Sequence, residues 1–334
     1  MNCLTNLGSI KTPSLKAMRS VAFFRKMRYW KYISMSLAIM KNLRDYFKKK
    51  RLRFGLIFSL LFLLFAFDSY AGSIREVSRN IERVQLVVSP FQFAVVGDSR
   101  DGEKVYPRLL ASILERKPDF IIHLGDMVTK PSEKEWHQFF NLSQPISVPF
   151  FPVAGNHDVG MTSRGEEMYN KQFFLPKGKA HYSFKAGQGF FVILNSEKGK
   201  GRISDDQWHW LKEIMESSSS TFKLAFLHRP LFLPADSFKR GSTMDKYPSD
   251  RDQLHQFFVN AKINAVFAGD DHRYDRREKD GILYIISGGG GAPLHPFKER
   301  GGYHHYVWVS IQTDRIEGEV VDLEGQVRDR FVIK

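Results

Sequence analysis

The stretch NAVFAGDDHRYDR, residues 264–276, passes from an apolar run through a glycine into two aspartates and a histidine. NAVFA (264–268) reads as a short buried strand. A lone carboxylate after a strand is ordinarily a turn former or helix cap, so the weight of Asp270 and His272 depends on what accompanies them. Four more apolar runs stop in the same way. FQFAVV (91–96) leads into Gly97-Asp98, FIIHL (120–124) into Gly125-Asp126, and PFFPVA (149–154) into Gly155-Asn156-His157-Asp158. FKLAFL (222–227) leads into His228. Glycine makes up roughly 7% of average sequence, yet it stands before four of these five polar sites, where it lets the backbone turn and brings the next side chain inward.

Between these runs lie segments with helical spacing: 105–117, 133–143, 205–217 and 250–262. HYSF (181–184) and FFVILNS (190–196) read as a hairpin, and ILYIIS (282–287), VWVSIQ (307–312), RIEGEVVD (315–322) and QVRDRFVI (326–333) as further strands. Strands alternating with helices, without internal repeat or Pro/Ser-rich linker, predict one α/β domain over about 75–334. Ligands of open α/β sheets bind outside the carboxyl ends of the strands, so the five loops are expected to converge.

The net charge of +14 is unevenly placed: residues 1–71 carry 14 Lys and Arg against Asp45 and Asp68, leaving 36 bases against 34 acids in 72–334. The folded part therefore makes no electrostatic case for nucleic acid. The basic excess belongs to an N-terminal extension, residues 1–71. There KKKRLRF (48–54), the uncharged run GLIFSLLFLLFAF (55–67) and Ser69-Tyr70-Ala71 follow the order of a signal peptide. The run is shorter than the roughly 20 residues that span a bilayer. Cleavage near Ala71 and export to a periplasmic or extracellular space are expected, with an uncleaved membrane anchor as the alternative. Residues 1–39 exceed what a signal needs, which favours an internal start such as Met40 over a membrane-surface segment. Cys3 is the only cysteine, so any metal in the domain must use nitrogen and oxygen.

Three aspartates, an asparagine and two or three histidines mix hard oxygens with imidazole, a set suited to first-row divalent or trivalent ions. Six ligands exceed the needs of one tetrahedral zinc. Two ions sharing a carboxylate would use them all, and such pairs serve phosphate-ester hydrolysis.

The ordered blocks GDSR (97–100), GDMV (125–128), GNHD (155–158), HRPL (228–231) and GDDH (269–272) resemble the calcineurin-like metallophosphoesterase superfamily, which includes the purple acid phosphatases. The resemblance covers roughly 90–334 and implies a four-layer α-β-β-α sandwich with two mixed sheets for the domain at 72–334. It implies a dinuclear centre of Mn, Fe or Zn at which a metal-bound hydroxide attacks phosphorus. By position, Asp98 and His272 would bind the first ion, Asp126 would bridge, and Asn156, His228 and Asp270 would bind the second. His157 would face the substrate, with Asp158 orienting its ring.

Two positions depart from that pattern. Arg100 stands where many members have histidine; a guanidinium cannot ligate a metal but forks well onto phosphate, so Arg100 is read as a substrate clamp. The tyrosine with which purple acid phosphatases compensate is here Thr129, which leaves the first ion one ligand short. Asp270 replaces a histidine, and its anionic oxygen favours Mn or Fe over Zn. These departures motivate a second reading, a degenerate domain that binds a phosphorylated ligand or a partner without turnover. The substrate class is otherwise a phosphorylated small molecule or lipid.

The remaining candidates have plainer readings. His123 lies within a strand and is read as a core side chain; His137, His209 and His255 lie on helices, and Trp208 and Trp210 are read as packing. His304 and His305, after Gly301-Gly302, are weaker candidates to reach the metals. The polar stretch 232–249 after His228 is the candidate substrate-selecting rim.

Overall fold

Strands with apolar residues on both faces must be covered on both sides, and this chain carries several. The computed structural model describes residues 74–160, 163–197 and 201–334. The expected signal or anchor segment lies outside them.

In chain order the helices are α1 (Val77–Val84), α2 (Tyr106–Glu115), α3 (Glu133–Leu142), α4 (Asn156–Val159), α5 (Ser163–Phe173), α6 (Asp205–Glu216) and α7 (Pro248–Asn260). The strands are β1 (Phe91–Val96), β2 (Phe120–His123), β3 (Phe150–Pro152), β4 (Tyr182–Ala186), β5 (Gly189–Ile193), β6 (Phe222–Leu227), β7 (Ala265–Ala268), β8 (Tyr274–Lys279), β9 (Ile282–Ser287), β10 (His305–Ile311), β11 (Ile316–Asp322) and β12 (Val327–Ile333). They form two six-stranded sheets, ordered β12-β11-β10-β1-β2-β3 and β4-β5-β6-β7-β9-β8. Both are mixed: β1-β2-β3 and β5-β6-β7-β9 run parallel, while β10, β11, β12, β4 and β8 pair antiparallel with their neighbours.

Alternation along the strands sorts side chains between two cores. Phe93, Phe120 and Phe151 face Phe184, Phe191 and Phe226 of the other sheet; Phe151 stacks on Phe184 at 4.0 Å, and Phe120 meets Phe191 edge-on at 5.3 Å. Such aromatic contacts add about 1 kcal/mol each beyond burial. The intervening residues face helices. His123 and Phe150 meet Phe139 of α3, while Val192, Ala225 and Val266 join Leu211 of α6 and Phe258 of α7 in a second core.

Register then sets the site. Val96, His123 and Pro152 pair across β1-β2-β3, and Leu227, Ala268 and Ile286 pair across β6-β7-β9. The parallel strands thus end level, and the loops that follow open on one edge of the molecule.

Four elements go beyond the sequence reading: α1, the short α4, α5 and β8. β8 is the charged edge strand YDRREK, held by its pairing with β9.

Candidate metal centre

Asp98, Asp126 and Asp270 each follow a strand-ending glycine, and each has a left-handed backbone, with φ of 60°, 55° and 64°. Backbones held there cluster at functional sites, where the surrounding structure enforces them. The turning residue is thus usually the aspartate, not the glycine before it, as the sequence suggested; of Gly97, Gly125 and Gly269 only Gly125 has positive φ. The glycines serve close approach. A Cβ on Gly269 would lie 2.5 Å from Oδ2 of Asp98, and one on Gly155 would lie 2.2 Å from the amide nitrogen of Asp126.

The loops are stitched across the two sheets. Asp270 donates its N–H to the Asp98 carboxylate at 3.2 Å, and His228 donates from Nδ1 to the carbonyl of Leu124 at 2.8 Å. The glycine run after β9 closes the floor, with Gly290 donating to the carbonyl of Gly97 and Ala292 to that of Asp98, both at 2.8 Å.

Asp98, Asp126 and His272 come together: one ligand atom from each lies within 4.8 Å of the others. His272 donates from Nδ1 to the carbonyl of Pro293 at 2.7 Å. Its Nε2 is buried without a hydrogen-bond partner and lies 3.4 Å from Oδ1 of Asp98. An orphaned imidazole nitrogen beside two buried carboxylates fits a cation. His228 differs in that both ring nitrogens have partners. With Nδ1 occupied, Nε2 points at Asn156 Oδ1 (3.1 Å), Asp126 Oδ1 (3.3 Å) and Asp270 Oδ1 (3.8 Å). Burial alone would lower its pKa, but the carboxylates of Asp126, Asp98 and Asp270 raise it to about 9. Unscreened, these carboxylates demand positive charge.

Some of that charge comes from the protein. Lys239, from the rim loop, donates to Asp270 Oδ1 at 2.7 Å, and Arg229 Nη1 lies 3.6 Å from Oδ2. Buried Glu197 holds Arg229 at 2.8 Å. Arg100 lies 3.4 Å from Asp126 Oδ2 and donates to Asp101 at 2.6 Å. Sequence reasoning missed Lys239, Arg229 and Glu197. Their only signals were the rim assignment of 232–249 and the adjacency of Arg229 to His228.

His157 donates from Nδ1 to the carbonyl of Thr129 at 2.7 Å, which turns Nε2 toward the cleft, 3.9 Å from Asp126 Oδ2. Asp158 does not orient this ring, contrary to the sequence expectation. Its carboxylate is turned away, accepting the amide N–H groups of Asp126, Met127, Val128 and Gly155 at 2.8–3.2 Å. Burial and the neighbouring Asp126 push its pKa up, while these amides pull it down.

The other histidines hold structure. His123 is fully buried and bonds Ser99, and burial lowers its pKa to about 3. His255 bridges Tyr284 and Asp280, while His137 and His209 are exposed. His304 and His305 do not extend the ligand set: His304 bonds the Gly289 carbonyl, and His305 bonds Ser287 and the Tyr303 carbonyl. Trp208 packs on Phe257 and Trp210 on His181.

Two sheets whose level strand ends gather carboxylates and imidazoles define a metallohydrolase-type α/β protein. The model of the calcineurin-like phosphoesterases matches residues 91–274, and the chain belongs to that family. It is thereby a metallophosphoesterase, in the class that hydrolyses phosphoric ester bonds. The serine/threonine-protein phosphatase CPPED1 of Homo sapiens is 26% identical over 63% of this chain and 74% of its own length. The probable inactive purple acid phosphatase 1 of Arabidopsis thaliana is 24% identical over 55% and 36%. Purple acid phosphatase PPD1 from yellow lupin (Lupinus luteus) seeds shares the fold, with a TM-score of 0.63 at 20% identity. That match covers 73% of this chain and 54% of the lupin structure, so the chain spans little more than half of it.

Proposed function

We propose that this protein hydrolyses phosphate esters at the Asp98–Asp126–His272 cluster. The observation that carries the reading is the approach of those three ligand atoms within 4.8 Å, beside an outward-facing His157 ring. Asp98, Asp126 and His272 would hold a first-row ion, with Mn or Fe favoured over Zn by the carboxylate oxygens. When bound, such an ion supplies Lewis acidity, polarising a phosphoryl oxygen and acidifying water.

The chain's own groups do the rest. The Thr129 carbonyl accepts the His157 Nδ1–H and so aims Nε2 at the departing oxygen, to which the imidazolium form would donate its second proton. Arg100, braced by Asp126 and Asp101, presents a fixed guanidinium to the phosphoryl oxygens. Asn156, His228 and Asp270, expected from the sequence as ligands of a second ion, lie beside this cluster, with His228 Nε2 3.1 Å from Asn156 Oδ1 and 3.8 Å from Asp270 Oδ1. The substrates we propose are phosphorylated small molecules or lipid headgroups met after export. A phosphoserine peptide joins them because of the similarity to a serine/threonine-protein phosphatase.

A second reading, binding without turnover, is favoured by the protein cations on Asp126 and Asp270 and by a relative named probable inactive. One assay separates the two. The full-length chain, loaded with Mn, Fe or Zn, is offered an aryl phosphate monoester, a diester and a phosphoserine peptide. Turnover that falls at least about a hundredfold in Asp126→Asn supports the enzyme. Binding of inorganic phosphate with no turnover under any metal overturns it in favour of the second reading.

A further inference from the structure

Asp270 is almost fully buried, yet both of its oxygens face cations from the protein itself. Lys239 Nζ sits on Oδ1 at 2.7 Å, and the Arg229 guanidinium stands 3.6 Å from Oδ2. Arg229 is not free to leave, because Glu197 and the Ser242 carbonyl hold it. Oδ1 is also the oxygen that faces His228 Nε2 at 3.8 Å, the direction in which a second metal would share these ligands. Lys239 thus occupies the coordinating face of Asp270.

The charge arithmetic agrees with the geometry. The resemblance puts a neutral imidazole at position 270, and an aspartate there would draw a dication more strongly. Paired with an ammonium, however, Asp270 contributes no net charge. A dication seated on Asn156, His228 and Asp270 would have to expel Lys239 or stand against it in a poorly solvated site. Among the described residues no Lys or Arg pairs with Asp98 or His272; of the three ligands Arg100 reaches only Asp126, at Oδ2 and 3.4 Å, and His272 Nε2 is left without a hydrogen-bond partner.

The geometry points to a one-metal centre: a single ion at Asp98, Asp126 and His272, with the Lys239 ammonium standing where the second cation was expected. The remaining N–H donors of Lys239 then serve as a fixed positive contact for a substrate phosphoryl oxygen. The inference rests on the phosphoesterase reading for its substrate, but its test counts metal and does not depend on turnover.

The full-length chain is loaded with Mn²⁺ and freed of unbound ion; bound metal is counted by mass spectrometry and its electron paramagnetic resonance spectrum recorded. One ion per chain with the spectrum of an isolated ion is expected for the wild type and for Lys239→Arg, which keeps the charge. Lys239→Met should bind two ions per chain with a spin-coupled spectrum. Should Lys239→Met fold poorly with Asp270 Oδ1 stripped of its ammonium, Lys239→Met/Asp270→His removes that carboxylate as well and should also bind two. Two coupled ions in the wild type, or one ion in a folded variant lacking Lys239, would overturn the proposal. Two ions with full turnover would sink this inference and leave the phosphoesterase reading standing, whereas one ion without turnover would do the reverse.

Discussion

The carboxylate of Asp158 accepts the backbone N–H of Asp126 at 2.8 Å, so the residue after His157 in the chain supports the central carboxylate from beneath. Three further amides, of Met127, Val128 and Gly155, share it. Removing a buried acceptor leaves donors unsatisfied at about 1–3 kcal/mol each, softened where water enters. Asp158→Ala is expected to lose about 4 kcal/mol of stability and to bind Mn²⁺ weakly. Asp158→Asn, whose amide nitrogen faces donors, should lose about 2 kcal/mol. Urea unfolding checks both; wild-type stability in Asp158→Ala would show that the loop does not depend on this carboxylate.

The His157 ring is held by a relay that begins on α3. Glu135 accepts the N–H groups of Thr129 and Lys130 at 2.7 and 2.9 Å, and Asp101 accepts the Thr129 hydroxyl at 2.7 Å. This pins the Thr129 carbonyl on which His157 rests. His157→Ala should lower kcat by roughly a hundredfold or more. Glu135→Ala should lower it by about tenfold through misplacement, with KM and metal content unchanged and partial recovery in Glu135→Gln. A change in KM with kcat intact would place Glu135 in substrate binding instead.

Close approach, not backbone freedom, explains Gly155. An added Cβ meets the Asp126 nitrogen at 2.2 Å and its Oδ1 at 2.4 Å, whereas Gly281, with φ of 75°, has nothing within 4 Å of the same atom. Gly155→Ala is expected to cost about 3 kcal/mol and to weaken Mn²⁺ binding. Gly281→Ala should cost about 1 kcal/mol, from backbone strain alone, and leave metal affinity unchanged. Equal effects in thermal melts and metal titrations would remove the steric argument.

The apolar runs predicted the parallel core closely because burial on both faces leaves a continuous signal: β1, β6 and β9 begin and end where their sequences say. β8 has no such signal, since both faces of YDRREK are charged and only pairing with β9 makes it a strand. Helix α7 begins at Pro248, two residues before its expected start, because proline suits the first helical turn. In the site, glycine-preceded aspartates at level strand ends announced Asp98, Asp126 and Asp270. Spacing could not announce Lys239, which reaches Asp270 across 31 residues through a loop without periodic pattern. Nor could adjacency in GNHD tell which way Asp158 points; its four amide partners exist only once the β2 and β3 loops meet.

Asp329 on β12 binds Arg276 and Tyr274 of β8, tying an edge of one sheet to an edge of the other. Tyr274 donates its hydroxyl at 2.6 Å, and Arg276 donates at 2.7 and 3.2 Å. Burial raises the Asp329 pKa, but Arg276 and Tyr274 outweigh it, leaving the group below its ordinary 3.8. A carboxylate whose pKa is depressed by folding stabilises the fold above its unfolded pKa, and that contribution disappears as pH falls through the folded value. Asp329 should therefore contribute in full at neutral pH and lose its effect progressively below about pH 4. Because the carboxylate is partly exposed, the contribution is about 1 kcal/mol. Asp329→Asn should be less stable than wild type by that amount at pH 7, with the two unfolding curves converging toward pH 3 as the wild-type carboxylate takes up its proton. Curves that stay equally separated from pH 7 to pH 3 would mean the tie between β8 and β12 does not depend on the charge of Asp329.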